Sequence, residues 1–222
     1  MRTTAFFLIA GALLALFLAV PSGAGEAGLK LPDPAQDIAA SKRPGQQAAV
    51  FAGGCFWGVQ AVFQHLNGVL SATSGYSGGE ASSARYETVS GGRSGHAEAV
   101  RVVYDPAKIS YGQLLKVFFS VAHDPTQLNR QGPDRGTQYR SAIFAADAEQ
   151  EKTARAYVAQ LDQAKAFPAR IVTQIAPLSA FYPAEDYHQD YLRLHPNQPY
   201  IVINDLPKLA ALKQRFPTFY KD

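Results

Sequence analysis

Apolar residues fall along this chain in three patterns. The first is a continuous run, Ala5 to Val20, behind Arg2 and inside a stretch without charge from Thr3 to Ala24. Pro21, Ser22, Gly23 and Ala24 close it. A basic start, an apolar centre and small residues before a cut mark a secretory signal peptide. Residues 1–24 are therefore expected to be removed, with cleavage after Ala24 or Ala27. The competing reading, an uncleaved anchor, needs about 20 apolar residues and the run is shorter. The second pattern is sparse. Residues 25–47 (GEAGLKLPDPAQDIAASKRPGQQ) carry few large apolar side chains and no period, so a flexible linker is expected there.

The third pattern is periodic, begins near Ala48 and predicts one folded unit over 48–222. Ala48 to Ala52 is a short apolar run ending at Gly53-Gly54, the mark of a buried strand. Val59, Val62, Phe63 and Leu66 follow at helical spacing, and Asn67-Gly68 ends that helix. Residues 74–96 are dominated by Gly and Ser and read as mostly loop. Glu98, Val100, Val102 and Tyr104 alternate, so they share one face of a strand. Ser110 reads as the N-cap of a helix carrying Leu114, Leu115, Phe118, Phe119 and Ala122. His123 to Gly136 is polar and reads as loop. A strand is expected over Gln138 to Phe144. Asp147 with Gln150 resembles a capping box opening a helix to about Ala166. A strand over Arg170 to Ile175, a short helix over Ala184 to Leu194 and an extended tail with a helix from Pro207 to about Phe216 complete the pattern. Interleaved strands and helices point to an α/β or α+β sandwich.

Composition narrows the chemistry. A single cysteine, Cys55, excludes an internal disulfide, a multi-thiolate zinc site and an iron–sulfur cluster. A formal charge of +3 is too small to argue for nucleic acid. The five histidines, at 65, 96, 123, 188 and 195, show no HxxxH or HExxH spacing for a metal. His188 and His195, seven apart, fit a helix surface or structural hydrogen bonds, and His96 fits a loop-organising role.

The sharpest local feature is Gly53-Gly54-Cys55-Phe56-Trp57-Gly58. A strand ends at two glycines and a helix starts near Phe56, which places Cys55 beside unpaired backbone N–H groups. Their partial positive charge is expected to lower the thiol pKa. The glycines allow a sharp turn and close approach to the sulfur. Phe56 and Trp57 offer an apolar surface suited to a methyl or thioether group. The plainer reading is a small buried hydrophobe among core aromatics. In an exported protein a free reactive thiol is a liability unless it is used, which favours a nucleophile.

GGCFWG resembles the active-site signature of the A-type peptide methionine sulfoxide reductases. The likeness continues through Gly75-Tyr76-Ser77-Gly78-Gly79, Arg85-Tyr86-Glu87-Thr88-Val89 and Ser94-Gly95-His96-Ala97-Glu98. It runs on in Val102-Val103-Tyr104-Asp105-Pro106, His123-Asp124-Pro125-Thr126, Gln131 to Ser141 and Ala184-Glu185-Asp186-Tyr187-His188-Gln189. These occur in the family's order and span roughly residues 48–220. The resemblance implies a two-layer α/β (α+β) sandwich with a mixed sheet flanked by helices, a ferredoxin-like plait with extensions, and a monomer. It implies that Cys55 attacks a sulfoxide sulfur, that Glu98 protonates the sulfoxide oxygen, and that Tyr86 and Tyr139 hydrogen-bond that oxygen. Asp134 would organise the site, with Phe56, Trp57 and Gly54 on the substrate side.

The residue types fit that chemistry. A sulfoxide oxygen leaves poorly until protonated, so a carboxyl must stay neutral near pH 7, which burial achieves. An inward Glu98 beside Val100 and Val102 meets that need; a solvent-facing strand end is the bland alternative. For Tyr86 and Tyr139 the alternative is plain aromatic packing. The chain departs from many members in lacking a second cysteine near its C-terminus. Cys55 would then rest as a sulfenic acid until an external thiol attacks it. No bound cofactor is expected. The thiol could be a thioredoxin-like protein, a glutaredoxin-like protein or a small molecule. The substrate would be methionine-S-sulfoxide, free or in proteins, met outside the cytoplasm, in a bacterial periplasm. Neither nucleic acid nor, after cleavage, membrane is an expected partner. Two other classes stay open: a non-enzymatic sulfoxide-binding or redox-sensing protein, and a cysteine hydrolase, which would need a histidine base near Cys55.

Overall fold

A computed structural model describes residues 30–39 and 45–222. The expected signal peptide lies outside the described residues. In chain order the elements are β1 (Gln47–Gly53), α1 (Phe56–Gln64), β2 (Val69–Ser77), α2 (Tyr86–Val89), β3 (Ala97–Tyr104) and α3 (Tyr111–Val117). Then come β4 (Arg130–Gln131), β5 (Asp134–Arg135), β6 (Ser141–Ala145), α4 (Ala148–Gln163), β7 (Gln174–Pro177) and β8 (Phe181–Pro183). The chain ends with α5 (Tyr191–Leu194) and α6 (Leu206–Arg215).

Six strands form one mixed sheet in the order β7-β6-β1-β3-β2-β8. Only the β6–β7 pairing is parallel; β1–β3, β1–β6, β2–β3 and β2–β8 are antiparallel. The central four strands, β6-β1-β3-β2, follow a βαββαβ path, the ferredoxin-like plait. β7 and β8 extend it at the edges. β4 and β5 form a separate small ribbon.

Strand alternation sorts side chains between two faces. Ala49 and Phe51 of β1, with Val100 and Val102 of β3 and Ile143 of β6, join the core shared with α1, α3, α4 and α6. Val50, Ala52, Ala97, Ala99, Ala142 and Phe144 form a thinner cluster on the other face. Phe51 is fully buried, stacked on Phe63 of α1 at 5.0 Å between ring centroids and tilted against Phe118 at 5.1 Å. Burying a ring of that size stabilises a fold by roughly 1.5–3 kcal/mol. α3 starts where Ser110 predicts: its hydroxyl accepts the Gln113 N–H, and Gln113 Oε1 accepts the Ser110 N–H, a complete capping box.

Several expectations need correction. Residues 30–39 are not a free linker. Leu31 and Ile38 are buried in the main core, and Tyr157 of α4 donates to the Pro32 carbonyl. Asp37 accepts hydrogen bonds from Ser110 Oγ and the Gly112 N–H at the start of α3. Residues 74–96 are not mostly loop at their start, because β2 runs on to Ser77. Ser74 and Ser77 are buried within it, and a composition rich in Gly and Ser hides that strand. The strand expected over 170–175 is displaced to β7. The helix expected over 184–194 breaks into a 3-10 turn (Asp186–His188) and the single turn α5, separated by Asp190 in the left-handed conformation at φ 55°.

Candidate active site

β1 delivers the chain to the Gly53-Gly54-Cys55 turn. Gly54 has φ +91°, and a Cβ there would press on the Gln131 side chain at 2.5 Å, so only glycine fits. Gln131 in turn bridges Asp124, donating to its carbonyl and accepting its N–H. Gly54 thus shapes the turn and does not line the cavity. Cys55 caps α1 with φ −52° and ψ 124° and is 8% exposed.

Glu98 reaches the same point from β3. It is 2% exposed, and its Oε2 accepts the Phe56 N–H at 3.0 Å. That bond satisfies one of the orphan donors at the start of α1. Burial pushes the Glu98 carboxyl up to about 8, against the pull of the Phe56 N–H, and Asp134 adds to the rise. The expectation for Cys55 itself is reversed. Burial, then Glu98 and Asp205, push the thiol well above its usual range. The Trp57 N–H and Lys208 act the other way and do not prevail. A helix N-terminus favours thiolate, but here it works inside a dry pocket that already holds carboxyl groups.

Tyr86 stands on α2, whose first N–H donates to Glu185 Oε1 at 3.0 Å, while Tyr76 donates its hydroxyl to Glu185 Oε2 at 2.8 Å. Tyr139 ends the 3-10 turn Thr137–Tyr139. Burial, then the charge of Glu98, raise both the Tyr86 and Tyr139 hydroxyls, so both stay protonated donors. Asp134 lies in β5 and accepts the Tyr200 hydroxyl at 2.5 Å. Trp57 stacks on Tyr191 at 3.7 Å and 7°, and meets Tyr200 edge-on at 5.9 Å. Its indole N–H donates to His188 Nδ1 at 3.3 Å. His188 is buried and also touches the rings of Phe56 (5.0 Å) and Tyr86 (4.4 Å). It lies in a turn among aromatic rings, which fits the structural hydrogen-bonding reading and not the helix surface.

Cys55, Phe56, Trp57, Tyr86, Glu98, Asp134, Tyr139 and Tyr200 together line a cavity of about 170 Å³. The space suits a methyl sulfinyl group and is small beside a drug-sized pocket of ≈ 300–1,000 Å³. Among the described residues no histidine is part of this lining, and His188 Nδ1 accepts the Trp57 indole N–H. The structure brings together every expected site residue except Gly54, which acts through the backbone. It adds Tyr200, which the sequence reading missed. Tyr200 lies in a tail that reads as extended and carries no motif of its own; that tail is instead helical over Ile201–Asp205, and Tyr200 opens this segment beside the Trp57 ring. No group of three metal-capable side chains occurs among the described residues.

The family model for peptide methionine sulfoxide reductase matches residues 47–219. A peptide methionine sulfoxide reductase MsrA 2 of Mesorhizobium japonicum is 63% identical over 179 residues, covering 81% of this chain and 92% of that protein. One of the same name from Synechocystis sp. is 53% identical over 188 residues, covering 84% and 88%. Among solved structures, Mxr1 of Saccharomyces cerevisiae in reduced form aligns with a TM-score of 0.65 at 37% identity, covering 69% of this chain and 87% of that one. Methionine sulfoxide reductase A of Corynebacterium diphtheriae aligns with a TM-score of 0.60 at 35% identity, covering 78% and 87%.

Proposed function

The chain belongs to the peptide methionine sulfoxide reductase family, and from that membership we propose how its residues reduce methionine sulfoxide to methionine. The observation that carries the mechanism is the meeting of Cys55 and a buried, neutral Glu98 at one helix N-terminus, inside a cavity lined with tyrosine hydroxyls. The substrate methyl group lies against Phe56 and Trp57. Tyr86 and Tyr139 donate hydrogen bonds to the sulfoxide oxygen. Asp134 and Tyr200 are tied to each other, with the Tyr200 ring edge-on to Trp57 at the cavity wall.

Glu98 passes its proton to the sulfoxide oxygen, which makes the sulfur electrophilic and the oxygen able to leave. Once the oxygen is protonated, Cys55 Sγ attacks the sulfur, forming an S–S bond as the thiol proton restores Glu98; the hydroxyl then moves to Sγ, and the S–O and S–S bonds break to release the sulfide. The balance is Cys55–SH plus sulfoxide giving Cys55–SOH plus sulfide. Regeneration uses two external thiols. The first attacks Cys55 Sγ and releases water, leaving a mixed disulfide; the second frees Cys55 as the thiol. A thioredoxin-like or glutaredoxin-like protein or a small thiol supplies them. The substrate is the S epimer, free or in protein chains, and the site of action is outside the cytoplasm, in a bacterial periplasm.

The test is reduction of a methionine-S-sulfoxide peptide with dithiothreitol. Cys55→Ser should abolish turnover, and Glu98→Gln should slow it by on the order of 10²–10⁴-fold. Equal rates in wild type and Cys55→Ser would overturn the mechanism.

A further inference from the structure

Beneath the first turn of α1 lies a second pair of charges that no step above uses. Asp205, the last residue before α6, is fully buried. Lys208 of α6 meets its Oδ1 at 3.0 Å, with 17% of the lysine side chain exposed. The pair packs against Gly58, three residues beyond Cys55. A Cβ at Gly58 would fall on the Asp205 carboxylate and within 2.9 Å of Lys208 Nζ. Asp205 Oδ2 has no hydrogen-bond partner among the described residues. A buried carboxylate oxygen left unpaired costs stability, and this carboxylate lies against the turn of α1 that follows Cys55.

We propose that Asp205 and Lys208 are positioning residues for the reaction at Cys55, an opposed pair of charges under its helix turn that sets the electrostatic field in which the sulfur attacks. The inference rests on Cys55 being the nucleophile. The groups facing the sulfur are Glu98 from β3, the Trp57 N–H, Asp205 and Lys208, with the Tyr86, Tyr139 and Tyr200 hydroxyls around the cavity. Asp205 faces Lys208 and Asp134, and Lys208 also faces His123. Burial holds the Asp205 carboxyl above its usual range, and Lys208 opposes that rise. Both charges act on Cys55, with opposite sign, and the carboxylate has the larger effect. Asp205 therefore favours the resting thiol, and Lys208 favours the thiolate that attacks.

The experiment is the pH dependence of Cys55 alkylation by iodoacetamide in the full chain, without sulfoxide. Asp205→Asn should move the midpoint to lower pH by about 0.5–1 unit. Lys208→Met should move it to higher pH. The double variant should return towards wild type, and Lys208→Arg should match it. Far-ultraviolet circular dichroism checks folding; if Asp205→Asn does not fold, the Lys208→Met and Lys208→Arg pair decides alone. Unmoved midpoints, or shifts of the same sign in both single variants, would overturn the proposal. Because alkylation reads the sulfur and not the sulfoxide, a failure of the catalytic mechanism would leave this readout intact and be recognised separately.

Discussion

Glu98 shows at the scale of one residue how chemistry is set against stability. Its ordinary value is 4.5 and burial raises it to about 8 in the folded protein. Between those values the folded state keeps a proton that the unfolded chain has released. The protein is therefore most stable, as far as Glu98 is concerned, below 4.5, and loses that stability as pH rises through about 8. Glu98→Gln has no such titration. The melting temperature of wild type should fall relative to Glu98→Gln across that window, measured by thermal unfolding at several pH values. In the proposed mechanism the same proton is given to the sulfoxide, so wild-type turnover should decline above about 8, and the slow residual turnover of the variant should lack that limb. Parallel melting curves at all pH values would mean that Glu98 is not buried as described. The sequence made this residue legible, because Val100, Val102 and Tyr104 on its strand face are all apolar or aromatic and are all buried. The Cys55 pKa was not legible. A helix N-terminus can be read from Gly53-Gly54-Cys55, but the approach of Glu98 and Asp205 is made by residues 43 and 150 positions away in the chain.

At the scale of elements, the segment 30–39 does more than connect. Asp37 accepts from the Ser110 hydroxyl and from the Gly112 N–H at 2.8 Å, so it acts as a cap for α3 supplied from outside that helix. Asp33 pairs with Lys116 at 2.7 Å, and Gln160 of α4 binds both the Ala35 N–H and the Asp33 carbonyl. The Asp37 side chain has replaced water at two donors, so Asp37→Ala should cost about 1 kcal/mol. Urea unfolding should show it as a lower midpoint with an unchanged slope; an unchanged midpoint would mean the cap contributes nothing. Composition hides this segment, since only Leu31 and Ile38 enter the core and no periodicity arises from two residues. The helices with repeated apolar faces, α1 and α3, were legible for the opposite reason. The β2 strand and the breaks around Asp190 were not, because buried serines imitate a loop and a left-handed residue in a polar stretch leaves no pattern.

At the scale of the whole molecule, one thiol fixes the order of events. Cys55 is the only cysteine in the sequence, and it is buried in the reduced protein. Reduction of one sulfoxide consumes its reducing capacity, since a disulfide within the chain needs a second sulfur. The proposed cleavage after Ala24 would also remove Met1, the only methionine, leaving nothing in the chain for its own chemistry to repair. Mixing the protein with excess methionine sulfoxide peptide and no thiol should therefore yield one methionine per chain and then stop. The oxidised protein should be one oxygen atom heavier and should react at Cys55 with dimedone, a reagent for sulfenic acids. Adding dithiothreitol should restart turnover at a rate that rises with its concentration, because thiol attack on Cys55 is then the step that closes the cycle. Continued turnover without thiol would show that electrons come from elsewhere in the molecule. An oxidised product resistant to dimedone and lacking the added oxygen would show that the sulfenic acid had condensed onward, with a backbone nitrogen or with a thiol from another molecule.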